Sequence, residues 1–286
     1  MKLPVLVSYA YARKSIAKFE ALIADNRVEV LLDCGAFTAK NAGEIITLDA
    51  YCGFLDTYRD RIFKYLALDV VGDPVQTEAN LQTMLDRGYR PSPVHVRGDD
   101  ERKMNELFEI SDFVALAGLR IPGRGQCDGS YIKKKMQWAN GRDVHWLGFV
   151  RAEYFQLRPY SCDSVSWSTG EQFGNMHCYL GNGRFLTRTF NRRNEIWANR
   201  RARDLVLQTG VTQGQFNDQR YWTSNRGMEG WKYMTVLVSG ESWVRYVWDI
   251  YQRYGVKIFL ASTLTDPQLA AINYGLEQNP ELFNGC

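Results

Sequence analysis

The stretch YLALDVVGDP, Tyr65 to Pro74, starts as a buried strand and ends on a carboxylate. Tyr65-Leu66-Ala67-Leu68 is almost wholly apolar, yet Asp69 follows it directly, and Asp73-Pro74 comes four residues later. An Asp is poor in a strand interior and costly to bury without a partner. At a strand end it can face a ligand or cap a helix. Asp73-Pro74 is a helix start, with Asp as N-cap and Pro in the first turn, and Gly88 is the matching stop. The segment is therefore a strand, a short loop and a helix.

The same unit recurs outward from this point. Apolar or β-branched runs stand at 4–10, 28–34, 65–71, 92–98, 113–119, 144–150 and 161–167. Amphipathic stretches lie between them. SIAKFEALIADN places Ile16, Phe19 and Leu22 on one face, DDERKMNELFEI does the same with Met104, Leu107 and Phe108, and TLDAYCGFLDTYRDRI opens on Thr47 as a cap. Continuous rather than alternating hydrophobicity in the strands indicates a parallel sheet covered by helices. Seven such strands by residue 167 predict an α/β chain forming a (β/α)8 barrel, with the eighth strand near MHCYL at 176–180; a doubly wound open sheet is the alternative. Neither GxGxxG nor GxxxxGK[ST] follows any strand, which weakens nucleotide-binding folds.

The pattern stops near residue 181. Seven arginines fall between 184 and 203, with Phe185, Phe190 and Trp197 among them, and an aromatic, polar, glycine-bearing stretch follows. Residues 181–240 are read as a subdomain or loop system inserted into a single domain of 286 residues, suited to nucleic acid. Arg184, Arg188, Arg192, Arg193, Arg200 and Arg201 are its candidate phosphate contacts, and Lys133, Lys134 and Lys135 are the next candidates. The competing reading is a solvated charged face, with Phe190 and Trp197 in a local core. Regular structure resumes at 243–255, at VKIFLAS (257–262) and in a last helix opened by Asp266-Pro267.

Composition narrows the class. The chain is 45% hydrophobic, which suits a sizeable core, and its net charge of +3 excludes a general polyelectrolyte binder. Six cysteines at 34, 52, 127, 162, 178 and 286 show no CxxC spacing, so neither a zinc motif nor a disulfide framework is expected. The first residues do not follow the pattern of a secretory signal, and no apolar run approaches a membrane span. A soluble cytoplasmic protein without a membrane partner is expected.

Four more residues share the placement of Asp69. VEVLLD ends on Asp33, YSCDSVSW sets Asp163 among small residues, and PVHVRG offers His95, while ALAGL offers Gly118 as bare backbone. In a parallel barrel all of these fall at the C-terminal face, where active sites are built. A lone Asp after a strand is more often a cap than a catalyst. Three converging carboxylates are an acid, base and nucleophile set.

The blocks LLDCGAFT, LALDVVGDPVQTEANLQTMLDRGYRPSPVHVRG, VALAGL, VHWLGF and YSCDSVSW resemble, in the same order, those of tRNA-guanine transglycosylases. They look closest to the shorter DNA-directed relatives called DpdA, found in bacterial genomic islands and phages. The resemblance spans roughly 28 to 170 in scattered blocks and implies a TIM barrel. It further implies that Asp163 is the nucleophile at the sugar anomeric carbon and Asp33 the general acid/base for the purine proton. Asp69 would accept from N1–H and N2–H of guanine, His95 would contact the base where the family often has Gln, and the backbone of Ala117, Gly118 and Leu119 would meet the same edge. The tRNA enzymes carry a three-cysteine, one-histidine zinc motif after the nucleophile, which this chain lacks, so no metal and no other cofactor is expected. The implied reaction replaces guanine in DNA by a free 7-deazaguanine base, preQ0 or a derivative. It would protect DNA, including phage DNA in the host cytoplasm, from restriction. The rivals are a tRNA-directed transglycosylase, a silent nucleic-acid-binding partner subunit and a hydrolytic N-glycosidase.

Overall fold

The computed structural model describes residues 1–120, 126–222 and 234–283. Ten strands occur there: β1 (Leu3–Ser8), β2 (Val28–Asp33), β3 (Lys64–Tyr65), β4 (Val94–His95), β5 (Phe113–Leu116), β6 (Asp143–Trp146), β7 (Ser161–Ser164), β8 (Met176–Gly181), β9 (Arg184–Arg188) and β10 (Lys257–Ser262). Eight of them form one parallel sheet in the order β3-β2-β1-β10-β7-β6-β5-β4. Parallel neighbours need crossovers, and helices supply most of them, at Ile16–Ala24, Leu48–Tyr58, Pro74–Asp86, Glu101–Ile110 and Gly129–Ala139. Between β6 and β7 the chain makes only a short 3₁₀ segment, Ala152–Leu157.

The sheet curls until its edges approach. Beyond β3, Leu66 pairs with Ser92, just before β4, in an isolated parallel bridge. Ser92 N–H donates to Tyr65 O at 2.8 Å and Ala67 N–H to Ser92 O at 2.9 Å. Neighbouring residues of each strand go to opposite sides, as the pleat requires. Leu6, Leu31, Phe113, Ala115, Phe259 and Ala261 fill the inside of the curl together with Phe63, Val94 and Tyr160. Val5, Val7, Val30, Leu32, Val114, Leu116, Ile258 and Leu260 point outward into the helix layer. Burial on both faces explains why the strands read as continuous apolar runs.

The helix starts follow from local chemistry. Asp73 accepts from Gln76 N–H at 2.9 Å with Pro74 in the first turn, Asp100 accepts from Lys103 N–H at 2.9 Å, and Thr47 from Ala50 N–H at 3.3 Å. In the last helix, Asp266–Gln278, the cap is Thr265 and not Asp266.

One strand assignment is corrected. The eighth strand of the sheet is β10, between β1 and β7, and not the segment at 176–180. That segment is β8, which pairs antiparallel with β9 in a separate hairpin. Its turn, Asn182-Gly183, has φ of 56° and 72°, the positive pair that a two-residue hairpin demands. Met176 and Cys178 of β8 pack into a second, smaller core with Ile196, Leu205, Val206, Phe216 and Trp222, against which Phe190 and Trp197 lie. The helix Met234–Tyr254 joins the two cores: Met234 and Val238 enter the small one, Val244 and Val247 the large one. Thus the small core begins at Met176, before the expected insertion of 181–240, within which 223–233 lie outside the described residues. Among the described residues no helix is long and apolar enough to cross a membrane.

Candidate active site

The C-terminal ends of the parallel strands open on a cavity of about 760 Å³. Asp33, Asp69, Asp163, Ala117, Gly118 and Leu119 all line it. Phe37 and Val165, unusually exposed for their type at 69% and 60%, also border this space.

Asp33 ends β2 opposite Ser8 of β1. The chain then turns sharply, and Gly35 N–H donates back to Asp33 Oδ2 at 3.0 Å. Gly35 has φ of +82°, and a Cβ there would stand 2.6 Å from Ser8 Oγ and 2.8 Å from Ala10 N. Only glycine fits this turn. Desolvation raises the Asp33 carboxyl to about 6, with the nearby charges of Asp163 and Asp69 adding to it and the Gly35 N–H opposing.

Asp69 follows β3 and is oriented by the next helix. Thr77 Oγ1 lies 2.9 Å from Asp69 Oδ1 and receives Val70 N–H at 2.9 Å. The Asp69 carboxylate thus borders the cavity with its loop pinned from behind.

Asp163 lies in β7 and is 7% exposed. Gly148 N–H donates to its Oδ1 at 2.7 Å, and His145 Nε2 lies 3.2 Å from the same oxygen. His145, on β6, is fully buried, and its Nδ1 is 2.8 Å from Ser161 Oγ. Sequence reasoning passed over this histidine. VHWLGF shows only a polar residue within an apolar strand; the pairing of β6 with β7 brings it to Asp163.

Gly118 has φ of +70°, and a Cβ there would stand 3.0 Å from Arg97 Cβ. Arg97 Nε donates to Gly118 O, Nη2 to Arg120 O and Nη1 to Asp128 Oδ2, each at 3.0 Å. The guanidinium also lies over the Tyr131 ring at 4.3 Å. Arg97, not singled out from sequence, thus holds the loop that presents the Ala117–Leu119 backbone to the cavity.

His95 is not brought there. Its neighbour Val94 lines the cavity, and one step along a strand reverses the side chain. His95 is fully buried on the helix side, with Nε2 3.1 Å from Asp100 O, Nδ1 3.3 Å from Lys135 Nζ, and the ring edge-on to Trp138. Burial lowers its pKa first, and the Lys135 charge adds to this. His95 therefore faces away from the cavity in which its contact with a base was expected. Lys135 is buried as well, at 1% exposure, which removes it from any phosphate-binding face.

The basic segment is mixed. Arg188 and Arg192 share Glu195, at 2.6 and 2.5 Å, and Arg193 donates to Asn217 Oδ1 at 3.1 Å while lying over Phe190. Arg201 donates to Leu180 O at 3.1 Å. Arg184 is exposed, and Arg200 is 90% exposed with Asp204 4.0 Å away. Ion pairs between exposed side chains, such as Arg192–Glu195 and Arg200–Asp204, are held weakly in water.

Among the described residues no group of three or more His, Cys, Asp or Glu side chains is placed to hold a metal ion. No protein-family model matches the chain, and no curated protein matches it.

Proposed function

We propose that this chain is a base-exchange glycosyltransferase acting on DNA, built on a (β/α)8 barrel whose seam is the Leu66–Ser92 bridge. The observation that carries the reading is the convergence of Asp33, Asp69 and Asp163 on one cavity, with Asp33 raised to about 6 by burial and by the other two. Resemblance of the strand-end blocks to transglycosylases supplies the reaction.

In the first displacement Asp163 attacks the sugar C1′ and the bond from C1′ to guanine N9 breaks. The leaving purine takes the proton of Asp33. In the second, an incoming 7-deazaguanine, preQ0 or a derivative, gives its N9 proton to Asp33 and its N9 displaces Asp163. Two inversions retain the β configuration, and charges and protons balance without ATP or a redox partner. The site lies in a cavity at the strand ends, where a base stacked in a duplex cannot reach, so the target nucleotide enters flipped or single-stranded. Asp69 and the Ala117–Leu119 backbone read the base. Protection of DNA from restriction nucleases is the biological outcome that this exchange serves.

Nucleoside mass spectrometry of DNA and tRNA from cells expressing the protein with a 7-deazaguanine supply tests the reading. A 7-deazaguanine deoxynucleoside is the expected product. Modified tRNA alone, or abasic DNA alone, would replace the reading by the tRNA-directed or the hydrolytic rival.

Asp33 makes the first step pH-dependent. Its carboxyl must be protonated to release guanine, and a group near 6 is protonated in only about a tenth of molecules at pH 7. Single-turnover adduct formation should be fast below pH 6 and fall about tenfold per unit above it. A flat profile from pH 6 to 8 would remove Asp33 from the acid role.

The basic segment gives a second expectation. Replacing Arg192, Arg193, Arg200 and Arg201 by Ala should weaken DNA binding for every sequence. The slope of log affinity against log salt should become shallower by about 0.9 for each duplex phosphate that the variant no longer neutralises. Free-base binding should not change, since none of these arginines lines the cavity. Unchanged affinity and slope in a folded variant would reduce the segment to a solvated face.

A further inference from the structure

From the buried chain Ser161–His145–Asp163, we infer that His145 is a positioning residue which holds the Asp163 carboxylate by its Nε2–H and leaves Oδ2 as the attacking oxygen. The catalytic part of this inference rests on the base-exchange reading; the placement of the proton does not.

The donors and acceptors present decide the direction. An ionised carboxylate only accepts, so the proton between His145 and Asp163 sits on Nε2. Nδ1 of a neutral imidazole then accepts, and the Ser161 hydroxyl, 2.8 Å away, is the donor it requires. Both donors to Asp163, Gly148 N–H and His145 Nε2–H, meet Oδ1. Among the described residues no donor meets Oδ2. One oxygen is therefore anchored twice, and the other is left for the cavity that Asp163 lines.

A serine, a histidine and an aspartate in a row invite a hydrolase reading, which burial excludes. Ser161 is 0% exposed and lies behind the histidine, so its hydroxyl cannot reach a substrate. Only the carboxylate end of the row borders the cavity. His145 is also locked in place: its ring stacks on Phe113 at 6.0 Å and meets Phe259 edge-on at 5.7 Å, both in the inner layer of the curl. An apolar sleeve of this kind permits one ring orientation, which fixes the direction of the Nε2–H bond. A nucleophile displaced by an ångström from its attack line loses about 100-fold in rate.

The test uses the intact protein. Long-range ¹⁵N–¹H spectra at neutral pH should show His145 protonated on Nε2 and bare on Nδ1. A lone proton on Nδ1 would make Asp163 the donor and overturn the inference. His145→Phe should slow single-turnover formation of the protein–DNA adduct about 100-fold, with the Kd for free 7-deazaguanine unchanged. His145→Gln, which can still present an amide N–H toward Oδ1, should recover at least tenfold of that loss. Wild-type rates in both variants would overturn the inference. If His145→Phe does not fold, the wild-type spectrum and the Gln variant decide. If the Nε2–H tautomer is present but no DNA yields an adduct, base exchange fails and the His145–Asp163 placement stands.

Discussion

Asp163→Asn should abolish base exchange and, with it, any covalent protein–DNA species. The amide oxygen of Asn is neutral and a poor nucleophile, so the first displacement has no attacking group. Losing a covalent nucleophile costs roughly 10⁴-fold or more in rate. The fold should survive, because Asn matches Asp in shape and its amide oxygen can still accept from Gly148 N–H, now 2.7 Å from Oδ1. Removing the carboxylate also removes a like charge that helps to raise Asp33. Denaturing gels after incubation with DNA should show a slow-migrating adduct for wild type and none for the variant, at unchanged thermal stability. An adduct in the Asn variant would move the nucleophile elsewhere.

The second large effect is on recognition. Asp69 offers two carboxylate oxygens where guanine and its 7-deaza analogues present N1–H and N2–H. Asp69 is half-buried, and a bound base would complete its burial; removing one partner of a charged hydrogen-bonded pair closed off in that way costs about 2–5 kcal/mol, which is roughly 30- to 5,000-fold in affinity. Asp69→Ala should weaken free 7-deazaguanine binding by that factor in calorimetric titration. Asp69→Asn should be no rescue, since rotating its amide nitrogen toward the base sets donor against donor. Thr77 and its bond to Val70 N–H remain, so the loop should keep its course. Both variants should also move the Asp33-dependent limb to lower pH, because the Asp69 charge is one cause of the raised Asp33 carboxyl. Unchanged affinity in Asp69→Ala would leave base reading to the Ala117–Leu119 backbone alone.

What could be read from sequence followed a simple physical line. Helix caps are local, so Asp73 and Thr47 were recognisable from their neighbours alone. Parallel strands are buried on both faces and announce themselves as apolar runs, and a carboxylate at the end of such a run stands out, as Asp33 and Asp69 do; Asp163 stands out among the small residues of YSCDSVSW, and the three meet in one cavity. What failed needed the third dimension. His95 and Val94 are adjacent in sequence, and only the pleat decides which faces the cavity. His145 looks like any polar residue in a strand until β7 is laid beside β6 and Asp163 comes within 3.2 Å. Arg97 acts on a loop 21 residues away. The misplaced eighth strand is a different case, since the hairpin turn Asn182-Gly183 was visible in the sequence and argued against β8 joining a parallel sheet.

The seam of the curled sheet has a mechanical consequence. β3 and β4 are two residues each, and beyond them one bridge, Leu66–Ser92, joins the edges, whereas β1, β10 and β7 are laddered together over several residues. Local opening follows the weakest set of backbone bonds, so the amides of Ala67 and Ser92 should lose protection against deuterium exchange long before those of Leu260 or Asp163. The curled sheet can thus spread at its edges while the opposite arc stays laddered. Asp69, which reads the base in the proposed reaction, hangs three residues past Leu66 of that bridge, and Asp163 sits on the stiff arc. In the proposed reaction, recognition and bond-making would thus be mounted on parts of different compliance: an entering nucleotide would be fitted by the soft side without disturbing the aim of the hard side.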